Sequence, residues 1–495
     1  MQLQALLSKV PTRAVRGPLD VEISSVCYDS RQAKPDALFV ALRGERVDGH
    51  DYVAQAVAQG AAGVVVEHEV DGVSPNMACV EVASTRAAIA AIAGAFYHHP
   101  ASKLRLCGVT GTNGKTTTTY LLKHLCERVM LRCGLIGTVR YEIGEEIVPS
   151  THTTPQSLDL QALLARMRDA GCKAAVMEVS SHALAQDRVG GVEFDAAVFT
   201  NLTQDHLDFH GNLQDYFEAK ARLFTEILPQ QTRKRPVAVV NIDDRYGAEL
   251  CTRLPKNVRL ITYGMGTRAD FRASNLKTEA AGTSYQLDAQ ERSYLVRLPL
   301  IGRFNVYNSL AALAASSVMG IQLRAAVLSL ATAPAVPGRV QMVPAKRSYQ
   351  VYVDYAHTDD ALSNVIRTLR ELNPRRLIVV FGCGGDRDKA KRPLMGRAAE
   401  QGGDFAIITS DNPRSEDPAA IIRDIEKGFQ GKSYETVVDR REAIERAVAL
   451  AQPRDIILIA GKGHENYQQF AKTTITFDDV QVAKAAIEAR PVELT

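Results

Sequence analysis

Residues 104–119, Leu104-Arg-Leu-Cys-Gly-Val-Thr-Gly-Thr-Asn-Gly-Lys-Thr-Thr-Thr-Thr119, set the interpretation of the whole chain. The apolar run 104–109 predicts a buried strand, and the residues from Thr116 onward predict a helix. The glycines between them allow backbone N–H groups to surround an anion at the positive end of that helix. We therefore predict a nucleotide-phosphate site, in which Lys115 meets the outer phosphates and Thr116 meets a magnesium ion.

The spacing of this loop departs slightly from the usual P-loop. Five residues separate Gly108 from Gly114, one more than in the usual pattern, but the segment 111–116 keeps the expected order. The alternative is a glycine-rich turn without a ligand, although Gly-Lys-Thr directly after a strand favours phosphate binding. The predicted nucleotide contacts in this segment are Gly111, Thr112, Asn113, Gly114, Lys115, Thr116 and Thr117.

Composition limits the classes of function. The chain has 59 basic and 56 acidic residues, and they are scattered, so no nucleic-acid-binding or membrane-binding tail is indicated. No apolar window approaches the length of a membrane span, and the N-terminus lacks a secretion signal. The eight cysteines form no C-x-x-C pair, which is typical of buried thiols in a reducing compartment. We expect a cytoplasmic protein without nucleic-acid partners or membrane insertion.

The pattern of apolar runs predicts an α/β protein of three domains. Residues 1–100 alternate short strands and helices, and residues 101–337 form a central P-loop domain with a mostly parallel sheet. Residues 338–495 alternate strands and helices again, which predicts a doubly wound, Rossmann-like sheet. Within the central domain, residues 258–300 alternate polar and apolar side chains, and this pattern predicts an antiparallel hairpin.

Polar residues follow two predicted strands of the central domain. Glu178 lies near the end of one strand, and Asp205 and His206 come just after another, at the edge where α/β sheets bind ligands. A carboxylate and an imidazole there suit a divalent cation that accompanies a nucleotide. The alternative is that Glu178 caps a helix and that His206 is a hydrogen-bonded core histidine.

A lysine interrupts the apolar stripe of the helix predicted at 215–224. Lys220 can bury its stem and extend its charge into water, which is the common arrangement. Alternatively, burial lowers its pKa, and the neutral amine reacts with carbon dioxide to give a carbamate, an anionic metal ligand.

Three loops of the C-terminal domain, at 381–392, 410–416 and 460–465, follow predicted strands and carry charged side chains. Such charges can be merely solvated. Because three such loops share one sheet edge, a second binding site is the favoured interpretation.

Motifs from the two larger predicted domains follow one another along the chain: Gly111–Thr117, Glu178–His182, Asn201–His206, Lys220, Asp354–His357, Gly384–Arg387, Asp411–Arg414 and Gly461–Glu465. Together they resemble the Mur ligase family of peptidoglycan synthesis, and the resemblance covers nearly the whole chain. It implies an N-terminal domain that holds UDP, a central ATPase and a C-terminal domain that carries the incoming amino acid.

The resemblance implies ATP-dependent amide formation. ATP phosphorylates the D-glutamate γ-carboxylate of UDP-N-acetylmuramoyl-L-alanyl-D-glutamate, and the amine of meso-diaminopimelate then displaces phosphate. Mg²⁺ is the implied cofactor, and a monomer is expected. The implied catalytic residues are Lys115, Glu178, His206 and Lys220.

The resemblance also implies ligand contacts. Thr116 and Glu178 serve one magnesium ion, while His206 and carbamylated Lys220 serve a second. The nucleotide contacts outside the glycine loop are Asn305, Arg339 and Asp354. The contacts to UDP are Tyr28, Ser30, Glu45, Arg46 and Val47, and those to the muramoyl peptide are Thr153, Thr154, Ser180, Gln186 and Arg188.

The motif Asp-Asn-Pro-Arg marks the family members that use diaminopimelate. Arg414 can bind the second carboxylate, which L-lysine lacks; the alternative is a surface ion pair with Glu416 or Asp417. Gln341 and Asp359 depart from the family pattern, which has Glu and Pro there, and this puts local hinge and loop geometry in question. The implied contacts to diaminopimelate are Arg387, Asp411, Asn412, Pro413, Arg414, Gly461 and Glu465.

Three other functions stay open. An L-lysine-adding muramyl ligase would lack the arginine at 414. A folylpolyglutamate synthetase-like ligase would share the P-loop and the buried lysine but would lack a UDP domain before them. A nucleotide-gated binding protein would need Lys115 but would have no use for Lys220.

Overall fold

The structure, a computed structural model, describes residues 1–44, 47–231, 234–345 and 347–491. The chain forms two compact units. Both units combine helices with mainly parallel sheets, so the predicted α/β class is confirmed. The first unit comprises Met1–Ala273, Leu287–Ser293 and Tyr307–Ser329, and the second comprises Ser274–Gln286, Tyr294–Val306 and Leu330–Thr495.

Short strands and helices alternate at the start of the first unit: α1 (Leu3–Leu6), β1 (Thr12–Arg16), β2 (Ser25–Cys27), β3 (Ala37–Val40), α2 (Val53–Ala58), β4 (Ala61–Val66), β5 (Ala78–Val82) and α3 (Thr85–Phe96). The sheet order is β1-β5-β4-β3-β2, with parallel pairing except between β1 and β5. Ser84 caps α3 by accepting a hydrogen bond from the Ala87 N–H, and His98 and His99 end that helix with left-handed φ angles of 58° and 48°.

The middle of the chain continues the alternation: β6 (Arg105–Thr110), α4 (Lys115–Arg128), β7 (Cys133–Ile136), β8 (Arg140–Ile143), β9 (Glu146–Pro149), α5 (Ser157–Asp169), β10 (Ala174–Glu178), α6 (Ser181–Ala185), β11 (Ala196–Phe199), α7 (Leu207–His210), α8 (Leu213–Arg222), β12 (Val237–Asn241), α9 (Arg245–Arg253), β13 (Arg259–Gly264), β14 (Phe271–Glu279), β15 (Gly282–Ala289), β16 (Arg292–Leu298), α10 (Arg303–Val318) and α11 (Leu323–Leu330). In the order β13-β12-β11-β6-β10-β7 every neighbouring pair is parallel. The inner strands are almost entirely buried, as parallel strands covered on both faces should be.

The register of this sheet brings the predicted site together. β6 lies between β10 and β11, with Glu178 opposite Val109 and Phe199 opposite Thr110. Because these strands are parallel, their carboxyl ends lie side by side at the start of the glycine loop. Residues that follow β10 and β11 are therefore held next to that loop.

The hairpin predicted at 258–300 is wrong in its first part. β13 pairs in parallel with β12, from Arg259 opposite Val237 to Tyr263 opposite Asn241. Alternation of polar and apolar residues indicates one exposed face but not strand direction, so the parallel sheet extends further along the chain than predicted. The alternating burial expected for the remainder occurs in β15.

The second unit contains a doubly wound sheet built from β17 (Gln341–Met342), β18 (Gln350–Asp354), α12 (Asp359–Arg370), β19 (Leu377–Phe381), α13 (Lys391–Gly402), β20 (Phe405–Ile408), α14 (Pro418–Glu426), β21 (Tyr434–Thr436), α15 (Arg440–Leu450), β22 (Ile456–Ala460), β23 (Tyr467–Gln469), β24 (Thr474–Thr476) and α16 (Asp479–Ala489). The sheet order is β17-β18-β22-β19-β20-β21. Separate apolar clusters pack on its two faces, as the Rossmann-like prediction requires.

A buried ion pair fixes two strand ends of this sheet. Arg440 and Asp479 are both fully buried and share two hydrogen bonds of 2.8 Å. The same guanidinium donates to the carbonyl oxygens of Ser410, at 3.4 Å, and Ala460, at 2.9 Å. These carbonyls immediately precede the loops that begin at 411 and 461, so Arg440 holds both loops at their origin.

All eight cysteines are free thiols. Seven are buried, and Cys251 on α9 is partly exposed. Among the described helices, none combines the length and the apolar character that crossing a bilayer requires.

Candidate active site

The loop between β6 and α4 depends on its glycines. Gly111 and Gly114 have positive φ angles of 142° and 87°, which favour glycine. A Cβ atom at Gly111 would lie 1.9 Å from Thr200 Oγ1, and one at Gly114 would lie 2.3 Å from Asn308 Oδ1. The loop is therefore packed too tightly for any side chain at these two positions.

Residues after β11 hold the glycine loop in place. The Thr112 N–H donates to the Asn201 carbonyl oxygen at 2.8 Å, and the Asn113 N–H donates to Asn201 Oδ1 at 2.9 Å. The Thr203 N–H donates to Thr112 Oγ1 at 3.0 Å. The predicted phosphate loop and the segment that carries His206 thus form one structure.

Lys115 and Lys220 meet at one carbonyl group. Each ammonium group lies 2.9 Å from the Gly111 carbonyl oxygen, and Lys115 also donates to the Thr112 carbonyl oxygen at 2.8 Å. Two predicted catalytic lysines, far apart in sequence, are therefore neighbours at the glycine loop.

Lys220 does not reach solvent. Its exposed fraction is 1%, and its ammonium group lies 4.5 Å from the centre of the Tyr216 ring. Burial, assisted by the positive charge of Lys115, holds the pKa of Lys220 well below its usual value. The interpretation that Lys220 extends its charge into water is therefore wrong, and the direction of the pKa shift favours the alternative in which burial makes the amine reactive.

His206 is held neutral beside the two lysines. Partial burial lowers its pKa to about 4, against the opposing effect of Asp205, and the positive charges of His182 and Lys115 contribute, although 45% of the side chain remains exposed. Its ring centre lies 4.9 Å from that of His182. A neutral imidazole can ligate a metal, whereas a protonated one cannot.

Glu178 is buried at the end of β10 and does not cap the next helix. Its two carboxylate oxygens accept hydrogen bonds from the Thr138 N–H at 2.9 Å and from the Thr138 hydroxyl at 3.0 Å. Ser180 instead caps α6 by accepting from the Ala183 N–H at 3.2 Å. The capping alternative for Glu178 is therefore excluded.

The residues implied to hold the muramoyl peptide are linked to one another. The Thr154 hydroxyl donates to the Glu178 carbonyl oxygen at 2.8 Å and accepts from the Ser180 N–H at 3.0 Å. Arg188 donates to the Thr154 carbonyl oxygen at 2.9 Å and to Gln186 Oε1 at 2.7 Å. Thr153 joins the same group, because its hydroxyl lies 3.0 Å from the hydroxyl of Thr138.

The residues implied to hold UDP are only partly described. The Tyr28 hydroxyl donates to Asp159 on α5 at 2.6 Å, and burial raises the pKa of that phenol. Ser30 is buried and donates to Gln55 Oε1 at 2.9 Å, while Val47 is exposed. The two predicted contacts Glu45 and Arg46 lie outside the described residues.

The donor groups at the glycine loop fit a divalent cation. Thr116 and Glu178 offer oxygen atoms, which magnesium prefers, and each Glu178 oxygen keeps a lone pair beyond its bond to Thr138. His206 offers a neutral nitrogen. The assignment of these residues and Lys220 to metal ions remains a prediction.

A different cluster of potential ligands lies in the N-terminal sheet: within the part of the chain that is described, donor atoms of Asp48, His50 and His68 lie within 4.8 Å of one another. Both ring nitrogens of His50 already have partners, since Nδ1 lies 2.6 Å from Asp48 Oδ1 and Nε2 accepts from the Glu67 N–H at 2.9 Å. This cluster is explained by hydrogen bonding alone.

The implied amino-acid contacts converge in the second unit. Asn412 Nδ2 donates to Glu465 Oε2 at 2.8 Å, and a Cβ atom at Gly461 would lie 2.6 Å from Asp411 Oδ2. The loops at 411–414 and 461–465 are therefore in contact.

Among the residues that the structure describes, Arg414 has a carbonyl partner and no carboxylate partner. Its guanidinium donates to the Gly385 carbonyl oxygen at 2.7 Å, and it forms no ion pair with any described residue. Glu416 pairs instead with Arg392 at 2.8 Å, so the alternative of a surface ion pair for Arg414 is wrong. Arg387, also implied to bind the amino acid, is exposed.

The nucleotide contacts implied in the second unit have structural partners. Asp354 accepts from the Val340 N–H at 2.6 Å and from the Ala356 N–H at 2.7 Å, and burial raises its pKa. The Arg339 guanidinium lies 4.8 Å from the centre of the Tyr355 ring. Asn305 is buried and donates to the Ile301 carbonyl oxygen at 2.9 Å. Their nucleotide contacts remain predictions.

The two departures from the family pattern are accommodated locally. Gln341 Oε1 accepts from the Gly338 N–H at 2.9 Å. Asp359 lies in the first turn of α12, where an acidic residue is favourable, and Thr358 caps that helix.

Several residues that the structure places at these sites have no role in the predictions from sequence. The spacing of His206 and His210, four residues apart, could have drawn attention to His210, whose Nε2 lies 2.9 Å from Ser181 Oγ. Thr138 carried no comparable signal, because its contact with Glu178 bridges distant segments. Lys462 lies within the motif Gly461–Glu465, but the family resemblance implies no role for it.

Family models match three parts of the chain. They are described as Mur ligase family, catalytic domain, at residues 22–97; Mur ligase middle domain, at 109–316; and Mur ligase, glutamate ligase domain, at 338–463.

Similar proteins match over the whole chain. A UDP-N-acetylmuramoyl-L-alanyl-D-glutamate–2,6-diaminopimelate ligase of Caldanaerobacter subterraneus subsp. tengcongensis is 44% identical over 98% of both chains. A solved structure of a ligase with the same description is 35% identical, with a TM-score of 0.71 over 99% of each chain. Folylpolyglutamate synthase of Mycobacterium tuberculosis, solved with ADP and AMPPCP, is 19% identical with a TM-score of 0.62, over 83% of this chain and 96% of its own. That last similarity shows the fold alone.

Proposed function

The chain belongs to the Mur ligase family, and from that premise we propose which reaction it catalyses. It adds meso-diaminopimelate to the D-glutamate γ-carboxylate of UDP-N-acetylmuramoyl-L-alanyl-D-glutamate, with hydrolysis of ATP, in the synthesis of peptidoglycan precursors. The bounds of the three family matches support a division into domains at 1–100, 101–337 and 338–495, which we propose bind UDP, ATP and the incoming amino acid respectively.

The observation that carries the proposal is the meeting of Lys115 and Lys220 at the Gly111 carbonyl group. A phosphate loop alone would serve any ATPase. A buried lysine of lowered pKa beside the loop, with His206 nearby, adds two further groups that a carboxylate-activating ligase could use to hold metal at the transferring phosphoryl group.

The reaction proceeds in two steps. The γ-carboxylate oxygen of D-glutamate attacks the γ-phosphorus of ATP, and the bond from that phosphorus to the β,γ-bridging oxygen breaks. ADP departs, and the D-glutamate side chain is now an acyl phosphate. The amine nitrogen of diaminopimelate then attacks the acyl carbon, loses a proton, and expels inorganic phosphate as the amide forms. Lys115 and the loop N–H groups stabilise the charge that spreads over the transferring phosphoryl group.

Magnesium would be held by Thr116 and Glu178 at one position and by His206 and carbamylated Lys220 at a second. When bound, it neutralises phosphate charge and orients the phosphoryl group. The carbamate forms when the neutral Nζ of Lys220 attacks the carbon of carbon dioxide and releases a proton.

The free thiols support a reducing, cytoplasmic location for the protein. We also propose that the protein is a monomer.

The test is phosphate release by the wild-type protein with ATP, Mg²⁺, the UDP-muramoyl dipeptide and a panel of amino acids. We expect turnover to require all substrates and to favour meso-diaminopimelate over L-lysine by about 10⁴ in kcat/KM. ATP hydrolysis without an amino acid would support a nucleotide-gated binding protein. A preference for L-lysine, or for glutamate added to a folate, would support the corresponding ligase instead.

Lys220→Ala is expected to lower kcat by roughly 10²- to 10³-fold, because an anionic ligand at the reacting phosphoryl group is lost. Added short carboxylates should restore part of the activity by occupying the vacated position. Lys220→Arg should also be inactive, because a guanidinium keeps its charge and cannot form a carbamate. Steady-state phosphate release measures all three effects.

Lys234→Ala is the matched control, because it removes a lysine that is largely but not fully buried. Lys234 also donates to several oxygens, including Asp195 at 2.7 Å, but it belongs to no predicted site. Carboxylates should not affect this variant. Full activity of Lys220→Arg would refute the carbamate.

A further inference from the structure

Lys462 is a buried cation at the carboxyl end of β22. Its side chain has no exposed surface, and it lies between Gly461 and Glu465, both implied to contact the amino acid. Burying a charge is unfavourable unless nearby groups compensate it. The partners of this ammonium group are therefore informative.

Two oxygen atoms and an aromatic ring surround the ammonium group. Nζ donates to Asn412 Oδ1 and to Glu465 Oε2, each at 3.0 Å. It also lies 5.3 Å from the centre of the Tyr467 ring, whose face attracts cations. Its strongest partners are thus two side chains of the amino-acid site.

These two partners are also bonded to each other. Asn412 Nδ2 donates to Glu465 Oε2 at 2.8 Å, and Asn412 Oδ1 accepts from the Gln469 N–H at 2.9 Å. Lys462, Asn412 and Glu465 form a closed triangle, in which Glu465 Oε2 accepts two hydrogen bonds. Glu465 Oε1 accepts none from the described residues, so the triangle leaves one carboxylate oxygen available to a ligand.

We propose that Lys462 is a positioning residue for the amino-acid substrate. It holds the Glu465 carboxylate and the Asn412 amide in one orientation, which presents Glu465 Oε1 to the substrate's distal ammonium group. The inference rests on the proposed function, which assigns Asn412 and Glu465 to the amino-acid site. A neutral side chain at 462 would remove a charged donor from both partners and leave their orientation unfixed.

Lys462→Met tests the proposal, because it keeps the length and bulk of the side chain and removes only the charge and the donors. With the amino acid that the wild type prefers in the panel, its KM should rise by about 10- to 100-fold. The KM values for ATP and for the UDP-muramoyl dipeptide should stay within about 2-fold of wild type, because Lys462 acts only through the amino-acid contacts. Should Lys462→Met fail to fold, Lys462→Gln replaces it with the same expectation.

Arg376→Met is the matched control. Arg376 pairs with the fully buried Asp455 at 2.7 Å, at the opposite edge of the same sheet. Its loss should lower the unfolding temperature without a selective change in the KM for the amino acid. A second control is the Glu465→Gln background, in which Lys462→Met should have little further effect on that KM, because the partner carboxylate is already gone.

An unchanged KM for the amino acid, a uniform rise in all three KM values, or additive effects with Glu465→Gln would each overturn the proposal. Failure of the proposed function looks different. If the wild type prefers another amino acid, the diaminopimelate assignment is refuted, and the Lys462 variants are judged with that amino acid. If no amino acid supports turnover, both inferences are refuted.

Discussion

Lys115→Ala should lose roughly 10³- to 10⁵-fold in the rate of ATP-dependent amide formation, while it unfolds at the same temperature as the wild type. The lysine starts α4 at the glycine loop, where its ammonium group donates to two loop carbonyl oxygens. Its removal should therefore affect the stabilisation of phosphoryl charge and not the fold. Phosphate release and thermal unfolding followed by circular dichroism measure the two properties.

Lys123→Ala provides the matched control on the same helix. Lys123 is also largely buried, and it pairs with Glu127 and with Glu142, the latter at 3.1 Å. This variant should lose stability and keep its catalytic rate, the reverse of Lys115→Ala. Wild-type ATP consumption by Lys115→Ala would show that the glycine loop is not the phosphate site.

Arg414→Ala should nearly abolish the preference for meso-diaminopimelate over L-lysine, from about 10⁴ in kcat/KM to within about 10-fold. The guanidinium has no carboxylate partner among the described residues, and its planar geometry matches a carboxylate through two hydrogen bonds. L-lysine, which lacks the second carboxylate, leaves this charge unpaired in the wild type. Removing Arg414 should therefore harm the reaction of diaminopimelate much more than that of lysine.

Competition between the two amino acids, with product analysis by mass spectrometry, gives the preference directly. Arg423→Ala is the control, because Arg423 is an exposed arginine on α14, 3.5 Å from Asp417, outside the site. It should leave the preference unchanged. An Arg414→Ala variant that still discriminates as the wild type does would assign recognition of the second carboxylate to another residue.

The glycine loop shows what local sequence can predict. The predicted strand at 104–109 is β6, Arg105–Thr110, and the helix begins at Lys115. Apolar periodicity, glycines and a lysine at a helix start are all encoded within a few residues, so both the element types and the chemistry could be predicted.

The order of the strands in the sheet could not be predicted from the pattern of apolar runs. β10 and β11 flank β6 in the sheet, although β7, β8 and β9 come between β6 and β10 in the chain. Apolar runs indicate that strands are buried but not which strands are neighbours, and the same limit explains the error at β13. The predicted meeting of polar residues at one sheet edge depended on the general rule for parallel sheets.

Contacts between distant residues could not be predicted either. Lys220 and the Gly111 carbonyl are 109 residues apart, and Thr138 precedes Glu178 by 40 residues. The burial of Lys462 could not be predicted either, because lysines are mostly exposed and because one of its partners, Asn412, lies on another loop.

The cysteines are distributed over both units. Cys27 and Cys79 lie in the N-terminal sheet; Cys107, Cys126, Cys133 and Cys172 lie around the central parallel sheet; and Cys383 follows β19 in the second unit. Cys251 alone is partly exposed, and burial raises even its pKa, so little reactive thiolate is present at neutral pH.

The chain therefore carries its own set of chemical reporters. A maleimide reagent should label the folded protein slowly and at Cys251 alone, and each other cysteine should become reactive only when its surroundings open. Peptide mapping after brief labelling at increasing urea concentrations would then reveal the order in which the three larger sheets come apart, without any engineered probe.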